Sequence, residues 1–502
     1  MKMTWKDVLL LLASVLLTGL AFAPMNQSYT AFFSLLPLFY VLEKNKNGFL
    51  TGLVWGLFYC VFSIHWLAFN SGTHAWLATL SMFLAAGVLA LNYGVIGMLY
   101  KIIQRKNRSY AFLLLPFIWV AVEFLRSFGT LGFPWLALGH SQAYNTLYIQ
   151  QADIGGVYTV SFMLLLTNII LFRLLRSFSW KRFAALGAVL LIPFLYGILI
   201  LNVPMHAPEK LHFRVIQPNV GAKEKWEPAN RIPIINKMDS LSRVETEIRP
   251  DVIIWPETAV PYYLRSSVYI SHILTRCAAE TRSTLITGSL DFFYTDTLGG
   301  YGSTNSIFVF EPHHAAFRAD IYDKIHLVPF GEYTPGGKWL KWLNNMQYGQ
   351  SDFKTRKNRE VPRITKDNIP VTPIICYDSV FPHTVRRFAA EGKSKYNILV
   401  TNDIWFGRSM GPHQHAAIAI VRAVETRKPL ARSANAGISM FIDEKGRVLG
   451  SLPLYTTGIL DRTLYAARYE PLYVRAGNWF GVTMVIISLA GIILSLWHIR
   501  KK

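Results

Sequence analysis

With 502 residues, 52% of them apolar, and a mean hydropathy of +0.28, the chain is too long for one domain and too apolar for a wholly soluble protein. A net charge of +21 would usually raise nucleic acid as a partner, but Lys and Arg fall largely in short clusters between apolar runs, so the pattern is that of membrane topology and lipid headgroups and no nucleic-acid partner is expected. Three cysteines (Cys60, Cys277, Cys376) offer no disulfide framework and no zinc-type spacing.

Apolar segments near the ~20 residues that cross a bilayer lie at about 8–23, 29–42, 49–69, 75–100, 110–128, 155–172, 184–203 and 479–498. Eight spans are expected, in a membrane domain over 1–205 and a final span at 479–498. The segment at 29–42 is the shortest. Lys2, Lys6 and Ala21-Phe22-Ala23 also fit a cleaved signal peptide. Basic residues follow alternate segments: Lys44 and Lys46; Lys101, Arg105, Lys106 and Arg108; Arg173, Arg176, Lys181 and Arg182; Arg500, Lys501 and Lys502. The loops 24–28, 70–74 and 129–150 carry no Lys or Arg, which puts both termini in the cytoplasm and the long intervening region outside. Glu123 and Arg126, at the end of the fifth segment, have two readings: an intramembrane functional site, or an i,i+3 pair that snorkels and fixes packing. His65 and His140 read as packing residues.

From 210 to 466 the composition turns globular. Strand-like runs at 211–217, 251–256, 284–290, 305–310, 317–323, 371–376, 397–402 and 430–434, with a hairpin at 438–451, alternate with helical stretches at 228–248, 267–282, 380–391 and 412–427. This predicts a layered α/β fold with a sizeable sheet. Three strands close on chemistry: DVIIWPE on Glu257, ADIYDK on Lys324 and IPVTPIIC on Cys376. Strand ends are where open α/β sheets place their sites. A carboxylate, an ammonium and a thiol suit acyl transfer through a thioester, with a base for the thiol and a cation for the oxyanion. Taken singly, each has a plainer reading: a packing cysteine, a helix N-cap carboxylate, a solvated lysine. Cys277 in a helix and Cys60 in a span keep the plain reading. A last stretch, 336–359, interleaves Trp339, Leu340, Trp342 and Leu343 with six Lys and Arg residues, and is expected to form a gating arm at a lipid surface.

IIWPETAVP around Glu257, YDKIHLVPFGEYTP around Lys324 and IICYD around Cys376 resemble the Glu-Lys-Cys signature of the nitrilase (carbon-nitrogen hydrolase) superfamily. Together with VTNDIWFG, GPHQH, RAVETRKPLARSANAGIS and the membrane segments, the chain resembles that superfamily's membrane-bound apolipoprotein N-acyltransferases. The resemblance implies an αββα sandwich on the outer face of the bacterial inner membrane. It implies Glu257 as general base, Lys324 as oxyanion stabiliser, Cys376 as nucleophile and Glu332 as a supporting acid. Trp226, Asn305, Tyr377, Trp405 and Phe406 match pocket positions. One departure is Asp378, where members often carry Glu. The partners implied are a phospholipid acyl donor, phosphatidylethanolamine, and a diacylglyceryl apolipoprotein acceptor; no cofactor or metal is implied. Glu257 and the positive charge of Lys324 are expected to raise the thiolate fraction of Cys376 above the few per cent of a free thiol. The rivals are a membrane-tethered amidase using the same three residues, and a non-catalytic lipid-binding or transport protein.

Overall fold

The computed structural model describes residues 3–295, 300–313, 321–333, 353–355, 363–364 and 369–500. The arm expected at 336–359 lies outside these residues apart from 353–355. The chain divides into two compact units, one formed by 1–69, 76–203 and 476–502, the other by 70–75 and 204–475.

The first unit is helical: α1 (Trp5–Leu20), α2 (Leu36–Lys44), α3 (Gly48–Ile64), α4 (Ala75–Gln104), α5 (Arg108–Leu125), a single turn α6 (Ala152–Gly155), α7 (Val157–Arg176), α8 (Trp180–Asn202) and the closing α14 (Trp479–Arg500). Among the described residues, six helical stretches are long and apolar enough to cross a membrane: Gly48–Phe69, Ala75–Gln104, Arg108–Leu125, Val157–Arg176, Trp180–Asn202 and Trp479–Trp497. The two expected segments outside this set are short. α1 has 16 residues, started by a capping box in which Thr4 and Asp7 satisfy each other's backbone N–H groups. The 29–42 segment is broken into a 3-10 turn (Ser28–Phe32) and the nine-residue α2, which restarts at Leu36-Pro37, where proline suits the first helical turn. Both still pack into the bundle. Ser14 on α1 donates to the Ser34 carbonyl at 2.7 Å and accepts from the Trp55 indole at 3.0 Å.

The second unit holds two sheets. The first runs β13-β1-β2-β4-β5-β6, with β3 beside β4, where β1 is His206–Gln217, β2 Val252–Ile254, β3 Val260–Tyr263, β4 Thr284–Thr295, β5 Gly300–Phe310, β6 Tyr322–Asp323 and β13 Gly458–Ala467. The second runs β12-β11-β10-β9-β8-β7, with β7 Arg363–Ile364, β8 Ile369–Ile375, β9 Tyr396–Thr401, β10 Leu430–Ala434, β11 Ser439–Ile442 and β12 Val448–Leu452. β1, β2 and β4 are mutually parallel, as are β8, β9 and β10. Alternation along the strands builds the layers. Phe213, Val215, Val252 and Ile254 meet Val371, Ile375, Ile398 and Val400 between the sheets. The opposite-facing Ile216, Ile253 and Trp255 pack on α9 (Arg231–Ser242) and α10 (Val268–Thr281) through Ile235, Met238, Leu274 and Cys277. The second sheet is covered by α11 (Pro382–Glu391) and α12 (Met410–Thr426), and α13 (Leu472–Ala476) follows β13. The order of layers is α-β-β-α. Three strands escape the sequence reading, β3, the two-residue β7 and β13. The last carries Asp461 and Arg462 in its middle, yet it pairs along the whole of β1, where buried Arg214 grips Asp461 through two bonds of 2.8 and 2.7 Å.

Candidate active site

Glu257 lies three residues beyond β2, in a turn pressed against β4. A Cβ on Gly288 would stand 2.6 Å from the Thr258 nitrogen and 2.8 Å from the Glu257 Cα, so only glycine admits this approach. Lys324 follows the two-residue β6, fixed by its N–H to the Asn305 carbonyl at 2.8 Å. Its ammonium is buried between two carboxylates, 3.0 Å from Glu257 Oε1 and 2.8 Å from Glu332 Oε1. The Asn305 amide, on β5, donates to the same two oxygens at 2.7 and 3.3 Å, and the Val328 N–H holds Glu332 Oε2 at 2.9 Å. Thus Glu257, Lys324, Glu332 and Asn305, predicted separately, form one buried network.

Burial alone would lower the Lys324 pKa, but the charges of Glu257 and Glu332 carry it well above the usual lysine range. It is a permanent cation, suited to holding an anion and unsuited to acting as a base. Burial, and then the charge of Glu257, push the Glu332 carboxyl up.

Cys376 ends β8 and opens a 3-10 turn, Cys376–Val380, that leads into α11. Its φ is +45°, a left-handed conformation unfavourable for a residue with a Cβ. Two further non-glycine residues with positive φ flank the network: Thr258 (+45°), next to Glu257, and Phe330 (+59°), two before Glu332. Burial raises the Cys376 thiol pKa above that of a free thiol, the Glu257 charge raises it further, and Lys324 pulls the other way. This corrects the expectation of an enriched thiolate. Burial and the Glu257 charge outweigh Lys324, so the resting thiol keeps its proton.

Asp378 ties this turn to the loop of Lys324. It accepts from the Tyr322 hydroxyl at 2.9 Å and from the N–H groups of His326 at 2.7 Å and Ile325 at 3.3 Å. Burial lifts its carboxyl to about 6, against the pull of those donors and of Lys324. Tyr377 is buried and meets the Phe381 ring edge-on at 5.1 Å. Trp405 and Phe406 are half-buried in a turn after β9, where the Trp405 carbonyl accepts from the Ser71 N–H. Trp226 is half-buried, and its indole N–H has no hydrogen-bond partner among the described residues.

Sequence reasoning missed two groups. Lys225, beside Trp226, is buried and donates to the Glu257 carbonyl at 2.9 Å; burial lowers it to about 8. Asp403, two residues past β9, sits with His415 so that their ligand atoms and Cys376 Sγ all lie within 4.8 Å. That set does not fit a metal. Asp403 is occupied by His415 and Arg432, and His415 by Asp403 and Ser379. Asp403 was findable by the strand-end logic that found Glu257.

A family model described as the apolipoprotein N-acyltransferase N-terminal domain matches residues 14–170, and one described as carbon-nitrogen hydrolase matches 215–472. The apolipoprotein N-acyltransferase of Geobacter metallireducens is 32% identical over 515 residues, covering 99% of this chain and 96% of that protein. The chain belongs to the apolipoprotein N-acyltransferase family. Its namesakes in Chlorobaculum tepidum (29% identity, 99% of this chain, 97% of that one) and Vibrio cholerae (30%, 93% and 94%) match over comparable lengths. An amidase from Nesterenkonia sp. aligns at 15% identity with a TM-score of 0.35, covering 54% of this chain and 95% of that one. Membership of the N-acyltransferase family accounts for both units at once, since the two family models fall one in each.

Proposed function

We propose that the protein transfers a fatty acyl chain from a phospholipid, through a thioester on Cys376, to the N-terminal α-amine of diacylglyceryl-cysteine in apolipoproteins. One observation carries the reading: a buried, permanently charged ammonium bridges two carboxylates in the electrostatic reach of a buried thiol at a strand end. The thiol attacks the sn-1 ester carbonyl of the donor, phosphatidylethanolamine, as its proton passes to Glu257. Because the resting thiol is protonated, deprotonation and attack are coupled. Lys324 and a backbone N–H hold the oxyanion, worth roughly 3 kcal/mol per donor. The ester C–O bond then breaks, Glu257 returns the proton to the leaving alkoxide, and lysophospholipid departs. In the second half the acceptor amine attacks the thioester, Glu257 takes the amine proton, the C–S bond breaks and the proton returns to sulfur. Glu332 and Asn305 keep Glu257 and Lys324 in register, and Asp378 clamps the Lys324 loop to the Cys376 turn. Trp226, Tyr377, Trp405 and Phe406 line the acyl pocket, with the unpaired Trp226 indole N–H available to a substrate oxygen. Burial of the network protects the thioester from water.

The setting is the bacterial inner membrane, with eight spans, α1 and the 29–42 segment included, and 210–466 on the periplasmic side. Packing of α1 through Ser14 and the alternation of basic loops support this. In intact cells an impermeant thiol reagent should label Asn236→Cys and spare Lys106→Cys; the opposite pattern reverses the topology. The function is tested in phosphatidylethanolamine vesicles with a diacylglyceryl-cysteine peptide. Equal amounts of N-acylated peptide and lysophospholipid are expected. Ammonia release from a soluble amide, without acyl transfer, would instead identify a tethered amidase.

A further inference from the structure

A second buried polar chain ends on the nucleophile. Arg432, on β10, donates through Nη2 to Asp403 Oδ2 at 2.5 Å. Asp403 Oδ1 lies 2.8 Å from His415 Nδ1, on α12, and accepts from the Thr401 hydroxyl at 3.0 Å. His415 Nε2 lies 2.8 Å from the Ser379 hydroxyl and 3.2 Å from the carbonyl oxygen of Cys376, and Ser379 itself donates to that carbonyl at 2.7 Å. Arg432, Asp403, His415 and Ser379 are each at most 1% exposed. Room for Asp403 exists because residue 437 is glycine: a Cβ there would stand 2.3 Å from Asp403 Oδ2.

The 3-10 turn and α12 therefore meet on one carbonyl, with α12 braced through Asp403 from β10, and that carbonyl belongs to the residue with φ +45°. A left-handed non-glycine residue is strained and persists only where its surroundings over-determine it. The orientation of this peptide plane sets where Sγ points. Both ring nitrogens of His415 are engaged, Nδ1 by Asp403 and Nε2 by Ser379 and the carbonyl, so the ring faces the main chain of Cys376 and is not placed as base for its thiol. Burial alone would raise Asp403, but Arg432 and His415 more than offset it and hold it at about 2, a fixed carboxylate that orients the ring.

We propose that His415, oriented by Asp403 and Arg432, is a positioning residue for acylation: it grips the Cys376 carbonyl and so holds the nucleophile's backbone in the conformation that aims Sγ at the acyl donor. The inference rests on Cys376 being the nucleophile. The test is single-turnover acylation of the full-length enzyme in phosphatidylethanolamine vesicles, followed by intact-protein mass spectrometry. A wild-type adduct on Cys376 is the control; without it the functional reading fails, whatever His415 does. His415→Gln can place an amide N–H near the Nε2 position, whereas His415→Asn reaches only the Nδ1 position and His415→Ala neither. Acylation should slow about a hundredfold in Asn and Ala, the cost of a nucleophile misplaced by about 1 Å, with half-saturation by lipid unchanged and most of the rate recovered in Gln. Wild-type speed in Asn overturns the proposal, as do equal rates in Gln and Ala, the pattern of a base or a packing residue. Ser379→Ala decides independently if the His415 variants do not fold: slower acylation at unchanged half-saturation supports the tether, and an unchanged rate overturns it.

Discussion

Each unit buries a carboxylate and a cation, and the two sites differ in what those charges do. In the helical unit Glu123 and Arg126 are both buried, but they neither pair directly nor snorkel, contrary to the packing alternative read from their spacing. Glu123 accepts from the Trp119 indole at 3.1 Å and the Leu138 N–H at 2.9 Å, and Arg126, which caps α5, reaches the Tyr93 hydroxyl at 3.3 Å. The Leu138 N–H and the Tyr93 hydroxyl, both neutral and both outside α5, thus tie these charges to the rest of the bundle. In the sandwich unit, Lys324 is shared by two carboxylates beside a thiol on a strained backbone. In that cluster the ionisable groups interact, so the charge of each shifts the others. Burial of a charge is thus common to both sites; a cation shared by two carboxylates beside a thiol is what sets the second apart.

The comparison breaks first at sulfur. Cys376→Ala should abolish turnover, whereas Cys60→Ser and Cys277→Ser, whose sulfurs are buried in packing positions, should keep it. Lys324→Ala should abolish turnover and also destabilise the protein by about 3 to 5 kcal/mol, because it leaves two carboxylates buried without their cation; thermal unfolding in one detergent measures the second effect. Arg126→Met should give the reverse balance, about 1 to 3 kcal/mol of stability lost with turnover preserved. A collapse of turnover at full stability would move the helical site into the functional class.

The last effect concerns pH. The folded pKa of Asp378, about 6, lies above the ordinary aspartate value of 3.8, so the native state holds this proton more tightly than the unfolded chain does. Its contribution to stability is complete below about 3.8 and is lost as pH rises through 6, so the ionised group costs about 3 kcal/mol at neutrality. Activity runs the other way. Three donors converge on Asp378, so protonation below about 6 loosens the clamp on the Lys324 loop and kcat falls. Asp378→Asn keeps a neutral acceptor and should lose that acid limb; an unchanged profile would assign the limb to another group.

Much of this was legible because it was local. Glu257, Lys324 and Cys376 each close a run of apolar residues, and a strand that stops on a polar group can be read without its neighbours. The helices 267–282 and 412–427 differ from α10 and α12 by one or two residues at each end. What stayed hidden depended on pairings across the chain. β13 is a strand because it lines β1, some 250 residues earlier in sequence, and its Asp461 is tolerable because Arg214 meets it. His415 sits in an ordinary-looking helix, and only the fold brings Asp403, Arg432 and the Cys376 carbonyl to its ring. The protonated state of the thiol was misread for the same reason: Lys324 was counted as a charge beside sulfur, but the fold buries the thiol and sets the Glu257 charge beside it, and together these outweigh Lys324.

The central claim, a covalent acyl relay through a buried cysteine, is tested most directly by intact-protein mass spectrometry of the enzyme exposed to phosphatidylethanolamine without acceptor. A fatty-acyl mass is expected on Cys376, absent in Cys376→Ala, that disappears as N-acylated peptide forms when diacylglyceryl-cysteine peptide is added. Wild-type acyl transfer by Cys376→Ala, or an adduct that no acceptor peptide discharges, would contradict it.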